Sequence, residues 1–201
     1  MRTIEAVVYG FAELDDDAKE IAREWYRSGA PHGDMDVECT LDYADECARI
    51  IGIDMTRGGG GPKISFSVGG GGGDYAVFEG NYAYAKGASK AIRAHAPKDT
   101  ELHRIADILQ AVQARHFYQL VARMKCSTRR LSEHVLAEVF TRDGYDASDS
   151  ASSTVREAMQ DFASWIQHVL ADEYYYQLSD EVTDETIIAN EYEFTADGRH
   201  V

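Results

Sequence analysis

The stretch Thr56-Arg57-Gly58-Gly59-Gly60-Gly61-Pro62-Lys63 sets four residues without Cβ atoms between two basic side chains. Successive glycine N–H groups can curl into an anion-binding concavity, to which Arg57 would add a planar fork of donors and Lys63 a point charge. The same pattern also makes a plain hairpin connection, and the sequence leaves both readings open. It is not a Walker A loop, because Lys63 follows proline and no Ser or Thr comes directly after it. A second run, Gly69 to Gly73, carries a large ordering cost unless a ligand or a partner orders it. Gly72, Gly73, Asp74 and Tyr75 at its exit, with Lys86 further along, complete the candidate ligand-binding set. Asp74 and Tyr75 could contact a base or sugar, and they serve equally as turn acceptor and sheet surface. Read as a surface loop residue, Arg57 should tolerate replacement by Ala with a stability change of no more than about 0.5 kcal/mol.

Other chemistry has less to stand on. His32-Gly33-Asp34-Met35-Asp36 alternates metal-type ligands near Cys39, yet the spacing matches no standard metal frame and reads as a hydrated acidic loop. His103, His116 and His168 fall on predicted helices, where packing or capping suits them better than ligation. No Gly-x-Ser-x-Gly elbow, His-Glu-x-x-His or dinucleotide fingerprint occurs, so the expectation is a binding protein without cofactor or metal. Tyr174-Tyr175-Tyr176 closes a late helix and suits either a core rim or a protein interface.

These loops must be carried by a folded frame. The chain has 201 residues, 44% hydrophobic, which is enough for one domain with a full core. Twenty Lys plus Arg against 35 Asp plus Glu give a formal charge of −15, which disfavours nucleic acid and anionic membranes as general partners. Three cysteines without a Cys-x-x-Cys pair indicate neither a disulfide framework nor a zinc knuckle, and they point to a reducing compartment. Met1 leads straight into the strand-like Thr3 to Tyr9 with no signal-type region, so a cytoplasmic location is expected.

Along the chain, Asp15 is a good N-cap for a first helix ending near Gly29, and Thr40 can start a second that ends at Gly52. A short strand from Ile53, the alternating Ile64 to Val68 and the segment Tyr75 to Tyr84 then read as antiparallel strands. Ala85 to Ala96 is expected to be helical. Asp99 caps what reads as the longest helix, with an apolar stripe running from Leu102 through Val121 to Met124. Glu133 to Thr141 has the composition of an inner strand, residues 143–153 read as a mobile loop, and two helices follow. The predicted architecture is a single α+β domain over residues 1–201: an antiparallel meander with helices packed mainly on one face.

Several stretches together resemble a family of small phage and prophage proteins often labelled antitoxins of stability systems. They are Phe11 to Leu14, Ala18 to Arg27, Pro62 to Ser67, Phe78 to Ala88, Glu101 to Ala106 and Ile188 to Gly198, so the match spans nearly the whole chain. Similar proteins carry an aromatic and polar loop where Val68 and five glycines stand here. The resemblance implies a phage context and an accessory, counter-defence role without a stated mechanism. Two readings follow: sequestration of a small phosphorylated ligand such as a nucleotide immune signal, or an antitoxin-like module blocking a basic host or toxin protein. Two-fold self-association is expected from the aromatic surplus near the late helix.

Overall fold

A computed structural model describes residues 7–29, 37–58, 61–69, 73–127 and 134–201. Strand β1 (Tyr9–Gly10) and a 3-10 turn precede helices α1 (Asp16–Gly29) and α2 (Glu38–Ile51). Then come β2 (Ile53–Met55), β3 (Arg57–Gly58), β4 (Gly61–Pro62), β5 (Ile64–Ser67), β6 (Tyr75–Phe78) and β7 (Gly80–Ala83). Helices α3 (Ala88–His95) and α4 (Thr100–Arg115) lead to β8 (Leu120–Ser127) and β9 (His134–Thr141). The chain closes with α5 (Asp149–Gln177), α6 (Asp180–Ala189) and β10 (Glu193–Phe194). These elements form two compact units, residues 37–171 and the paired segments 1–36 and 172–201.

In the larger unit a four-stranded antiparallel sheet runs in the order β2-β7-β8-β9, as the α+β reading expects. Period-two burial explains why helices cover one face. Leu120, Ala122 and Met124 of β8 and Val135, Ala137 and Val139 of β9 are buried, while Arg123, Lys125, Leu136 and Glu138 between them are exposed. The covered face joins α2, α3, α4 and α5 in one core, where the Phe162 ring meets Phe78 edge-on at 5.7 Å and stacks on Trp165 at 5.3 Å. Strands β6 and β7 form one extended run that Glu79 interrupts. Its first half pairs with β5 and its second with β2, so β2 and β5 are two parts of one edge from which the β3–β4 hairpin departs. The ladder continues across that departure: Lys63 N donates to Thr56 O at 2.6 Å, and Thr56 N donates to Glu79 O at 2.8 Å. Gly80 is required there, since a Cβ would stand 2.4 Å from Asp54 O.

Three elements differ from the sequence reading. The helix begun by Asp99, whose carboxylate accepts from Leu102 N, stops at Arg115; Phe117 and Tyr118 reverse the chain with positive φ, and the supposed last turns are β8. The apolar residues Leu120, Ala122 and Met124 fit a strand period as well as a helical one, and the turn decides between them. Strand β9 lies at the sheet edge and not inside it, and Leu136 faces solvent on the uncovered face, as Arg123 and Lys125 of the inner strand β8 do. The loop expected over 143–153 extends only to Ser148, whose hydroxyl accepts from Ala151 N and starts α5.

In the terminal unit β1 and β10 pair antiparallel, and Phe11, Leu14, Ala18, Ala22, Ile187 and Phe194 form a small core. Trp25 meets Phe194 at 5.7 Å and stacks on His200 at 4.0 Å. Arg23 donates twice to the Asp184 carboxylate, both at 2.7 Å, and ties α1 to α6. Asp15 caps α1 through Ala18 N, as expected.

Candidate functional site

Arg57 opens the β3–β4 hairpin, and its terminal guanidinium nitrogen donates to Asp45 Oδ2 on α2 at 2.5 Å. Arg49, one helical turn after Asp45, donates to the same oxygen. The carboxylate is 1% exposed while the side chains of Arg49 and Arg57 are 57% and 49% exposed, so one buried anion holds two half-exposed cations side by side. Its other oxygen, Oδ1, has no hydrogen-bond partner among the described residues. The hydrogen bond to Asp45 holds Arg49 firmly protonated. Two guanidinium groups share this one carboxylate, with Asp42 and Glu46 of the same helix also acting on Arg49, and each guanidinium has N–H groups beyond the one directed at Asp45.

The hairpin beside it is short. Arg57 pairs with Pro62 and Gly58 with Gly61, while Gly59 and Gly60 lie outside the described residues. Lys63 is engaged elsewhere: its ammonium meets Glu79 Oε2 at 2.6 Å, and that hydrogen bond raises its pKa. The second glycine run is a separate feature. Gly69 N donates to Asp74 Oδ1 at 3.0 Å, so Asp74 closes that loop from within; Gly73 has φ of 95°, and Gly72 lies outside the described residues. Tyr75 pairs with Ser67 and packs partly against the core. Lys86 follows β7 at the other end of the strand run. It lies seven positions after Glu79 and past the end of β7, whereas Thr56, next to Arg57, bonds to Glu79, so Lys86 does not join Arg57. Asp45 and Arg49 were missed by sequence reasoning, although an Asp–Arg pair four apart on a helix facing a basic hairpin was the available signal.

Two neighbouring groups that could act as nucleophiles, Cys47 and Tyr43, are held protonated. Burial pushes the Cys47 thiol up to about 11, and burial with the neighbouring Cys47 pushes the Tyr43 phenol up to about 12. The His32 to Asp36 segment lies outside the described residues, and among the described residues no group of three His, Cys, Asp or Glu could hold a metal ion. His103 Nε2 bonds to Ala96 O at 2.8 Å, a structural contact joining α4 to the end of α3. No described helix is long and apolar enough to cross a membrane.

Residues 37–180 match a family described as a domain of unknown function, DUF8835. The chain belongs to the DUF8835 family. The match begins where the larger unit begins and takes in the whole of it, including Asp45, Arg49 and Arg57. No curated protein and no solved structure matches the chain.

Proposed function

We propose that this DUF8835 protein is a non-enzymatic binding protein that holds a small phosphorylated ligand, such as a nucleotide signal, on Arg49 and Arg57. The observation that supports the reading most is the single buried carboxylate of Asp45, which aligns two half-exposed guanidinium groups and leaves them further donors. Guanidinium groups match phosphate geometry, and bonds from them to phosphate are among the strong ones. The neighbouring hairpin offers a close approach to backbone without Cβ atoms. Within the phage context that the resemblance implies, sequestering such a ligand would serve counter-defence in the host cytoplasm.

Calorimetry with a panel of cyclic and linear nucleotides tests this. The expected outcome is at least one ligand with Kd below about 10 μM, roughly −7 kcal/mol. Arg57→Lys keeps the charge and loses the fork, so it should weaken that ligand while Arg57→Ala weakens it further. Absence of binding across the panel removes the reading. The segregated acidity of the terminal unit favours a second one, in which that surface blocks a basic host or toxin protein. Recovery of a stoichiometric basic partner at low salt, released at high salt, would support it; none in either condition would end it.

A further inference from the structure

The sheet end opposite the β3–β4 hairpin carries an arrangement that the proposed ligand site leaves unexplained. After α4 the chain turns through Phe117 and Tyr118, which have φ of 53° and 61°. Two consecutive aromatic residues in the left-handed region carry a backbone cost, and they persist there only where the surroundings impose it. Here they do. Gln113 is fully buried; its carbonyl accepts from Tyr118 N at 2.7 Å, and its side-chain amide clasps Leu120, donating to O at 2.7 Å and accepting from N at 3.2 Å. The turn is therefore fixed, yet it leaves the Phe117 side chain 83% exposed. Tyr84, just past β7, lies against Tyr118 with ring centroids 4.4 Å apart. On the neighbouring strand end Arg142 N donates to Gln119 O at 2.9 Å, which brings in the turn of Tyr145, itself 75% exposed.

Glycine would adopt the Phe117 backbone without strain, so folding alone does not select an exposed phenyl ring at this position. Aromatic side chains on a fixed backbone, with arginines beside them, are the composition of interface anchors. The cations here differ from the paired arginines of the chain, a property they share with Lys19, Lys90, Lys98, Arg123 and Arg156 among the described residues. Arg23, Arg27, Arg49, Arg57, Arg93 and Arg104 all have carboxylate partners. Lys86, Arg115 and Arg142 at this end have none within 4 Å among the described residues, although Asp143 and Asp146 lie in the same turn region.

We infer that this aromatic and cationic end is a docking surface for the terminal unit of a second copy of the chain. The occupant follows from charge. The segments 1–36 and 172–201 carry 18 acidic and 5 basic residues, and they expose apolar side chains, among them Ile21, Tyr176 and Ile188, suited to receiving aromatic anchors. An end-to-end contact between two such aromatic tips would set cation against cation.

Light scattering on the full chain at about 100 μM, in about 50 mM and then about 500 mM NaCl, tests the inference, because screening should weaken an electrostatically guided contact. The expected result is a mass above 22.3 kDa at low salt that falls towards that value at high salt. Phe117→Gly relieves the backbone and removes the anchor; it should raise or keep the melting temperature and weaken association about tenfold or more. On the other side of the contact, Glu181→Lys with Glu185→Lys should weaken it comparably. Arg57→Ala should leave association unchanged, which separates this contact from the proposed ligand site. A mass of 22.3 kDa at low salt overturns the inference, and so does an assembly indifferent to Phe117→Gly. Binding of a labelled oligothymidine to the aromatic end of a chain that stays monomeric also overturns it, in favour of single-stranded nucleic acid.

Discussion

In the terminal segments, 18 acidic residues stand against 5 basic ones, whereas residues 37–171 hold 17 and 15. The formal charge of −15 therefore belongs almost wholly to one unit, at −13, and the larger unit, residues 37–171, is nearly neutral at −2. The two also use arginine differently. In the terminal unit Arg23 and Arg27 join helices across a strongly anionic surface through Asp184 and Asp180. In the larger unit Arg49 and Arg57 are gathered on one buried carboxylate, and Arg115 and Arg142 have no acidic partner among the described residues. A global charge is thus a poor guide to local affinity here: a repulsion argued from −15 acts at the acidic unit and weakens within a Debye length of it.

The largest effects should come from the two cores. Phe162→Ala in the larger core and Phe194→Ala in the smaller should each cost about 3–5 kcal/mol, since both rings are fully buried among aromatic neighbours. The chain has two tryptophans, Trp25 in one unit and Trp165 in the other, and each reports its own core. In single-tryptophan variants, urea unfolding read by Trp25 should shift more for Phe194→Ala, and that read by Trp165 more for Phe162→Ala. Equal shifts at both probes in both variants would merge the units into one cooperative block and dissolve the comparison.

A smaller effect sharpens the contrast in arginine use. With Asp45 buried, Arg57→Ala should cost about 1–2 kcal/mol, more than a free loop residue, and Arg49→Ala should lower stability in the same direction. The double variant strands a buried carboxylate and should cost more than the two singles together. Strict additivity in chemical denaturation would mean that the buried carboxylate finds another donor. Arg23→Ala provides the counterpart in the terminal unit. Its partner Asp184 is more exposed than Asp45 and can rehydrate, so its loss should be the milder.

The antiparallel strands, the caps at Asp15 and Asp99 and the one-sided helical cover were legible in the sequence, because local hydrogen bonding and periodicity set them. The site was legible only in part. Arg57 and the glycine run were visible, whereas Asp45 and Arg49 became partners of Arg57 only when β2 and β4 brought the hairpin against α2. Lys86 and Asp74 read as members of the same site because sequence distance hides strand direction: they flank opposite ends of the run from Tyr75 to Ala83. Phe117 gave no signal of its turn, since positive φ at an aromatic residue is imposed from outside, here by Gln113.

The smallest effect lies in acid titration, and it separates the units by size. Hydrogen bonds from Arg93 hold the Asp107 carboxyl below its ordinary range in the larger unit, and one from Arg27 does the same for Asp180 in the terminal unit. A carboxyl whose folded value lies below its unfolded one contributes stability above the unfolded value, about 3.9, and loses it as pH falls through the folded value. Asp107→Asn should therefore lower the melting temperature slightly at about pH 7 and converge with the parent as pH falls through the folded value. Asp180→Asn removes the same kind of contact, but it also takes one negative charge out of a unit at −13, so relief of repulsion offsets the loss and the gap at neutral pH should be narrower. Both carboxylates are exposed, which keeps either shift small and sensitive to salt. Melting temperatures of the parent and the two variants across that range decide the matter. A gap for Asp107→Asn that stays constant down to the acid end would show that the substitution acts through packing or solvation. A gap for Asp180→Asn wider than that for Asp107→Asn would show that local pairing outweighs the collective charge even where the charge is densest.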